Sequence, residues 1–132
     1  MSHVSRMIEA MKAADMEAVI VTSEINQRYL TGFAYTDGYV VVTPGKSWLI
    51  TDFRYTEAAE AAVDPAEFEV IAPGKMLPKI AELLRDAGVK SVALEEATLS
   101  IRDSERIEKA LGEAGITYFR PEAAALIDGL RL

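Results

Sequence analysis

Val4, Met7, Ile8 and Met11 recur at the i, i+3, i+4, i+7 spacing of one helical face. The chain therefore opens on an amphipathic helix, its apolar stripe interrupted by Arg6, Glu9, Lys12 and Asp15. The run Ala18 to Thr22 is short, apolar and β-branched, which predicts a central strand. Ser23 then suits the cap of a short helix, with Glu24 near its positive end. That helix carries Asn26-Gln27-Arg28-Tyr29-Leu30-Thr31-Gly32-Phe33, and Gly32 is placed to close it in a left-handed conformation.

Two β-rich runs, Tyr39 to Thr43 and Ser47 to Thr51, flank Pro44-Gly45-Lys46, the signature of an antiparallel hairpin. An alanine-rich helix is expected over Arg54 to Val63, ended by Asp64-Pro65 because the residue before proline avoids the helical region. Phe68 to Ala72 predicts a strand. Met76, Leu77, Ile80, Leu83 and Leu84 mark a helix closed by Gly88. Ser91 to Glu95 predicts another strand, and Ser100 with Asp103 a capping-box-like start for a helix through Ala114. Gly115 ends that helix, Ile116 to Phe119 predicts a last strand, and Pro121 opens a final helix in its first turn. The expected fold class is α/β: a mixed β-sheet with one antiparallel hairpin and helices on both faces. No linker, repeat or low-complexity segment interrupts residues 1–132, so a single domain is expected.

Composition narrows the function classes. The 132 residues are 50% hydrophobic and 27% charged, an ordinary globular balance. A formal charge of −7, with no cluster of Lys and Arg, argues against nucleic-acid binding. The chain has no cysteine, which excludes disulfides, thiolate catalysis and Cys-ligated zinc. The first helix has no continuous apolar h-region and no segment is long enough to span a bilayer, so a cytoplasmic protein without a membrane partner is expected.

Few side chains stand in a pattern that carries chemistry. His3 is the single imidazole and lies far in sequence from any carboxylate cluster. A serine nucleophile lacks both a convincing base and a G-x-S-x-G turn. Glu95 and Glu96 are adjacent at a strand end, where neighbouring residues point to opposite faces, so the pair does not converge. Asp52, Glu57 and Glu60 read as solvated surface. Thr43 to Lys46 and Ala72 to Lys75 lack the glycine spacing of a phosphate loop and read as turns. No catalytic residue and no metal-ligand set is assigned.

The motif "NQRYLTGF", followed after the hairpin by "LITDFRYTEAA", resembles the N-terminal domain of the creatinase, prolidase and aminopeptidase P superfamily. "DMEAVIVTS" before the motif, "SVALEE" later and "AAALIDGLRL" at the end extend the resemblance over nearly the whole chain. The resemblance implies a ribonuclease H-like fold without that enzyme's acidic metal site. It also implies a missing C-terminal "pita-bread" catalytic domain, where two Asp, one His and two Glu bind two divalent ions (Mn, Co or Zn). The sequence stops at Leu130-Arg131-Leu132, about where the family's linker to that domain begins. This chain alone is then expected to bind no catalytic metal and to cleave nothing, and the parent to be an Xaa-Pro dipeptidase or aminopeptidase.

In the parent enzymes such a domain packs across a homodimer interface and helps close the mouth of the active site. By resemblance, the loop after "GF" is the segment nearest the partner's proline-containing peptide. Its candidate residues are Phe33, Tyr35, Thr36 and Asp37: aromatic rings suit a proline-like ring and Asp37 a free amine. Asn26, Arg28, Tyr29, Gly32, Asp52, Arg54 and Tyr55 are motif residues with an ordering role, Arg28 and Arg54 each held by a carboxylate or by helix C-terminal carbonyls. A creatinase-like amidinohydrolase parent and a stand-alone binding module of the same fold are the alternatives.

Overall fold

The computed structural model describes residues 2–33 and 37–131. Six strands form one sheet in the order β4-β3-β2-β1-β5-β6. They are β1 (Val19–Val21), β2 (Tyr39–Val42), β3 (Ser47–Ile50), β4 (Glu69–Ile71), β5 (Ser91–Leu94) and β6 (Tyr118–Arg120). The helices are α1 (His3–Ala13), α2 (Glu24–Thr31), α3 (Thr56–Ala62), α4 (Met76–Asp86), α5 (Ile101–Gly112) and α6 (Ala123–Arg131). β2 is antiparallel to β1 and β3, while β3–β4, β1–β5 and β5–β6 pair in parallel. Every strand but β2 thus runs the same way, and the segments following β1, β3 and β5 emerge at one edge of the sheet. The mixed sheet with one hairpin agrees with the sequence-based expectation.

Alternation along the strands builds two cores. Val19, Val21, Val40, Val42, Leu49 and Ala93 face α1, α3 and α6, meeting Met7, Met11, Ala59, Ala123 and Ile127. Ile20, Val41, Trp48, Ile50, Val92 and Leu94 face α4 and α5, meeting Ile80, Leu84, Ile107 and Leu111. A central strand buried on both faces must be apolar throughout, which is why β1 reads Val-Ile-Val. Among the described residues no helix is long and apolar enough to cross a membrane.

Three helices close by one device. Asp15, Gly88 and Gly115 adopt positive φ (57°, 76° and 86°). The next amide, of Met16, Val89 or Ile116, donates to the carbonyl five residues back in Met11, Leu84 or Leu111. This pairing satisfies an otherwise orphaned helix carbonyl, and the apolar residue after the turn is buried in each case. The same device corrects one boundary: Ile116 is committed to the α5 cap, so the last strand starts at Tyr118 rather than Ile116. Other boundaries move as well, the starts of α3 and α6 among them. Phe53–Tyr55 form a 3-10 turn before α3, with the Asp52 carboxylate accepting from the Arg54 amide, so the helix begins at Thr56 rather than Arg54. Pro121 lies two residues ahead of Ala123, the first residue of α6.

Candidate functional site

Where β1 and β5 end side by side, Glu95 follows Leu94 into the interior and is 0% exposed. A buried carboxylate is costly unless donors surround it. One oxygen of Glu95 accepts from the amides of Thr22 (2.6 Å) and Ser23 (2.9 Å). The other accepts from Ser23 Oγ (2.8 Å) and Asn26 Nδ2 (2.7 Å). Ser23 meanwhile caps α2, its hydroxyl accepting from the Asn26 amide. Glu95 therefore ties the start of α2 to the end of β5.

The motif helix makes two more long-range connections. Gln27, also buried, donates through Nε2 to the carbonyls of Val21 (3.0 Å) and Gly38 (2.9 Å), joining the end of β1 to the start of β2. Tyr29 stacks on His3 with ring centroids 4.1 Å apart, and His3 Nδ1 donates to the Tyr29 carbonyl at 2.7 Å. Its phenol donates to the Leu130 carbonyl (3.1 Å). Asn26 Oδ1 accepts from Arg131 Nη1 at 2.6 Å. Asn26 and Tyr29 together thus hold the C-terminal turn of α6. Gly32 closes α2 at φ 77°, its amide donating to the Arg28 carbonyl, and the Arg28 side chain is exposed. Thr31 Oγ1 accepts from the Phe33 amide at 3.0 Å, and Phe33 packs half-buried against the core rather than into solvent.

The second Arg-Tyr pair makes a separate, exposed cluster. Arg54 Nε donates to Asp52 (3.0 Å) and Arg54 Nη2 approaches Asp37 (3.4 Å), while its guanidinium lies 5.3 Å from the Tyr55 ring. Hydrogen bonds from the Arg54 amide and then its side chain hold the Asp52 carboxyl below its ordinary value. Asp37 has φ 50°, a conformation that aspartate tolerates better than most residues. Tyr35 and Thr36 lie outside the described residues.

Between these clusters is a hollow of about 590 Å³ at the shared edge, lined by Thr22, Ser23, Glu24, Asp37, Tyr39 and Asp103 among others. Burial pushes the Tyr39 phenol up, partly countered by Arg106. Two larger hollows, of about 660 and 700 Å³, lie around Pro44-Gly45-Lys46 at the opposite edge. Among the described residues no group of three or more His, Asp or Glu side chains is placed to hold a metal ion. The sequence reading weighed His3 and Glu95 and set them aside as sites, and it gave Gln27 and Arg131 no role of their own. Only the position of Glu95, directly after an apolar strand, hinted at burial; Glu96 beside it is exposed, so the two indeed diverge.

The family described as the Creatinase/Prolidase N-terminal domain matches residues 3–132. The uncharacterised peptidase YqhT of Bacillus subtilis is 34% identical over 86 residues, 64% of this chain and 24% of that protein. Across the curated relatives the matched region spans only 15–24% of their length. An Xaa-Pro aminopeptidase from Streptococcus pyogenes superposes with a TM-score of 0.87 at 30% identity, over 98% of this chain and 95% of that chain. The Xaa-Pro dipeptidase of Bacillus anthracis gives 0.80 at 28% identity, over 98% of this chain and 35% of that chain. With a family match over nearly its whole length and the same fold in these peptidases, the chain belongs to the Creatinase/Prolidase N-terminal domain family.

Proposed function

We propose that this chain is the non-catalytic N-terminal domain of a dinuclear-metal Xaa-Pro peptidase of the prolidase or aminopeptidase P type. In this reading it supports dimerisation and shapes access to an active site that lies in a following domain. The observation that carries the reading is the match of most of the chain to a fraction of longer proteins named Xaa-Pro peptidases: 83% of it to 19% of one and 98% of it to 35% of another. The two divalent ions belong to that following domain, and no step of the chemistry is assigned to residues 1–132.

The accessory role draws support from the edge where β1, β3 and β5 end. Ile25, Phe53 and Ile101, which follow those strands, are 61%, 78% and 79% exposed. Large apolar groups gathered on one rim suit a surface covered by other protein. The Asp37–Arg54 pair and the Tyr39 hollow open on the same rim, where a peptide on its way to a neighbouring catalytic site would meet them. In this reading the parent works in the cytoplasm.

The test is the complete open reading frame together with the activity of its product. A downstream set of Asp, Asp, His, Glu and Glu, with manganese- or cobalt-stimulated cleavage of Ala-Pro or Gly-Pro, is the expected result. Hydrolysis of creatine instead would move the parent to the amidinohydrolases. A gene ending at Leu132 would make this a stand-alone module and remove the reading.

A further inference from the structure

We propose that Glu95, Asn26 and Arg131 form a polarity relay that selects a hydrogen-bond donor at position 131, and so holds residues 128–131 of α6 in place and sets the direction in which the chain continues from them. The last step, direction, rests on the reading of this chain as the first domain of a longer peptidase.

A side-chain amide has one donating end and one accepting end. Glu95 receives four close donors, and the carboxylate acts there as an acceptor only. Asn26 must therefore turn Nδ2 toward Glu95 (2.7 Å), which leaves Oδ1 pointing away from it. Oδ1 can accept but not donate, and its partner is Arg131 at 2.6 Å, a group that can donate but not accept. A carboxylate buried at the end of β5 thus dictates the polarity required at the end of α6, which it does not touch. Arg131 also approaches Asp128 at 3.5 Å, but that carboxylate is exposed, and solvated pairs of this kind hold little.

The relay acts on the end of the helix and not on its body. Ala123, Ala124 and Ile127 are buried and anchor the first two turns of α6 in the core. In the last turn Leu130 packs half-buried against the same core, and hydrogen bonds add to it: Leu130 O accepts from Tyr29 Oη and from Arg6 Nη2 (3.4 Å), and Arg131 reaches Asn26. Of these ties, only the one through Asn26 leads back to a fully buried group of the sheet.

Hydrogen–deuterium exchange of the chain, read on residues 128–131, tests the relay. In Glu95→Gln an NH2 group takes the place of the oxygen that met Asn26. Asn26 then has to reverse its amide, so Nδ2 meets the donors of Arg131. Exchange of the last turn should rise several-fold in Glu95→Gln. Combining it with Arg131→Glu restores donor-to-acceptor pairing and should slow exchange again, relative to either single variant. A Glu95→Gln variant that exchanges like the parent, or a double variant as loose as the singles, overturns the relay.

Should Glu95→Gln fail to fold, Arg131→Lys against Arg131→Met decides the matter. The lysine should keep the last turn protected and the methionine should lose several-fold, whereas equal exchange overturns the relay. In the longer protein, spin labels in each domain should show a broader distance distribution for Arg131→Met, and an unchanged one rejects the directional part. A gene that ends at Leu132 would remove the proposed function while leaving the exchange results standing.

Discussion

A β-carbon built on Gly38 would lie 1.9 Å from the carbonyl oxygen of Ile50. That approach occurs where β2 starts and β3 ends, directly beneath the Asp37–Arg54 pair. The obstacle is backbone in the sheet, which cannot swing aside as a side chain can. Gly38→Ala should therefore shift the hairpin end and cost about 2 kcal/mol or more, in the range of overpacked interiors. Urea denaturation followed by circular dichroism would register it, and an unchanged midpoint would contradict the close approach.

Removing the Glu95 carboxylate leaves buried donors without a partner. Glu95→Ala should lose about 3–5 kcal/mol, as when one member of a buried charged network is deleted. Denaturant unfolding with an unaltered m-value is the expected form of the result. Glu96→Ala, one residue on and exposed, should stay within about 0.5 kcal/mol.

Asp52 should leave a signature in acid. Its folded pKa lies below the ordinary 3.8 because the Arg54 amide and side chain donate to the ionised form. A depressed carboxyl stabilises the fold above the unfolded pKa, and the contribution is lost as pH falls through the folded value. Asp52→Asn should thus be less stable than the parent near pH 6, with the gap narrowing below about pH 4. A gap that stays constant from pH 6 to pH 2.5 would show that Asp52 acts by packing alone.

Tyr39 gives the opposite limb. Burial raises its phenol above the ordinary 10.0, so the folded state favours the neutral form. The stabilisation is complete below pH 10 and fades as the pH climbs through the raised folded value. Tyr39→Phe should flatten the alkaline decline in stability. In spectrophotometric titration at alkaline pH, it should remove a phenol that ionises above its ordinary value.

What could be read from the sequence was whatever neighbours in sequence decide. The helical stripe of Val4, Met7 and Met11, the Ser23 and Ser100 caps, and the Gly32, Gly88 and Gly115 stops all depend on a few adjacent residues. Contacts between distant segments stayed hidden. Arg28-Tyr29 and Arg54-Tyr55 look alike on paper, yet Tyr29 reaches α6 while Arg54 collects two carboxylates. Arg131 lies 105 positions from Asn26, and nothing in local spacing connects them. Ile116 shows a subtler miss: it is apolar and buried like a strand residue, but its amide was already claimed by the α5 cap.

The alternating donors and acceptors along Glu95, Asn26 and Arg131 have a consequence for descent. A single reversal anywhere in the series sets two like groups against each other, so an inherited change at position 95 should be tolerated only in lineages that also changed 131. Among relatives, these positions should therefore exchange donor for acceptor character together or not at all, whereas the exposed Glu96 should drift independently. An alignment deep enough to resolve pairwise substitution would display this as covariation between the end of β5 and the end of α6, with Asn26 held constant between them.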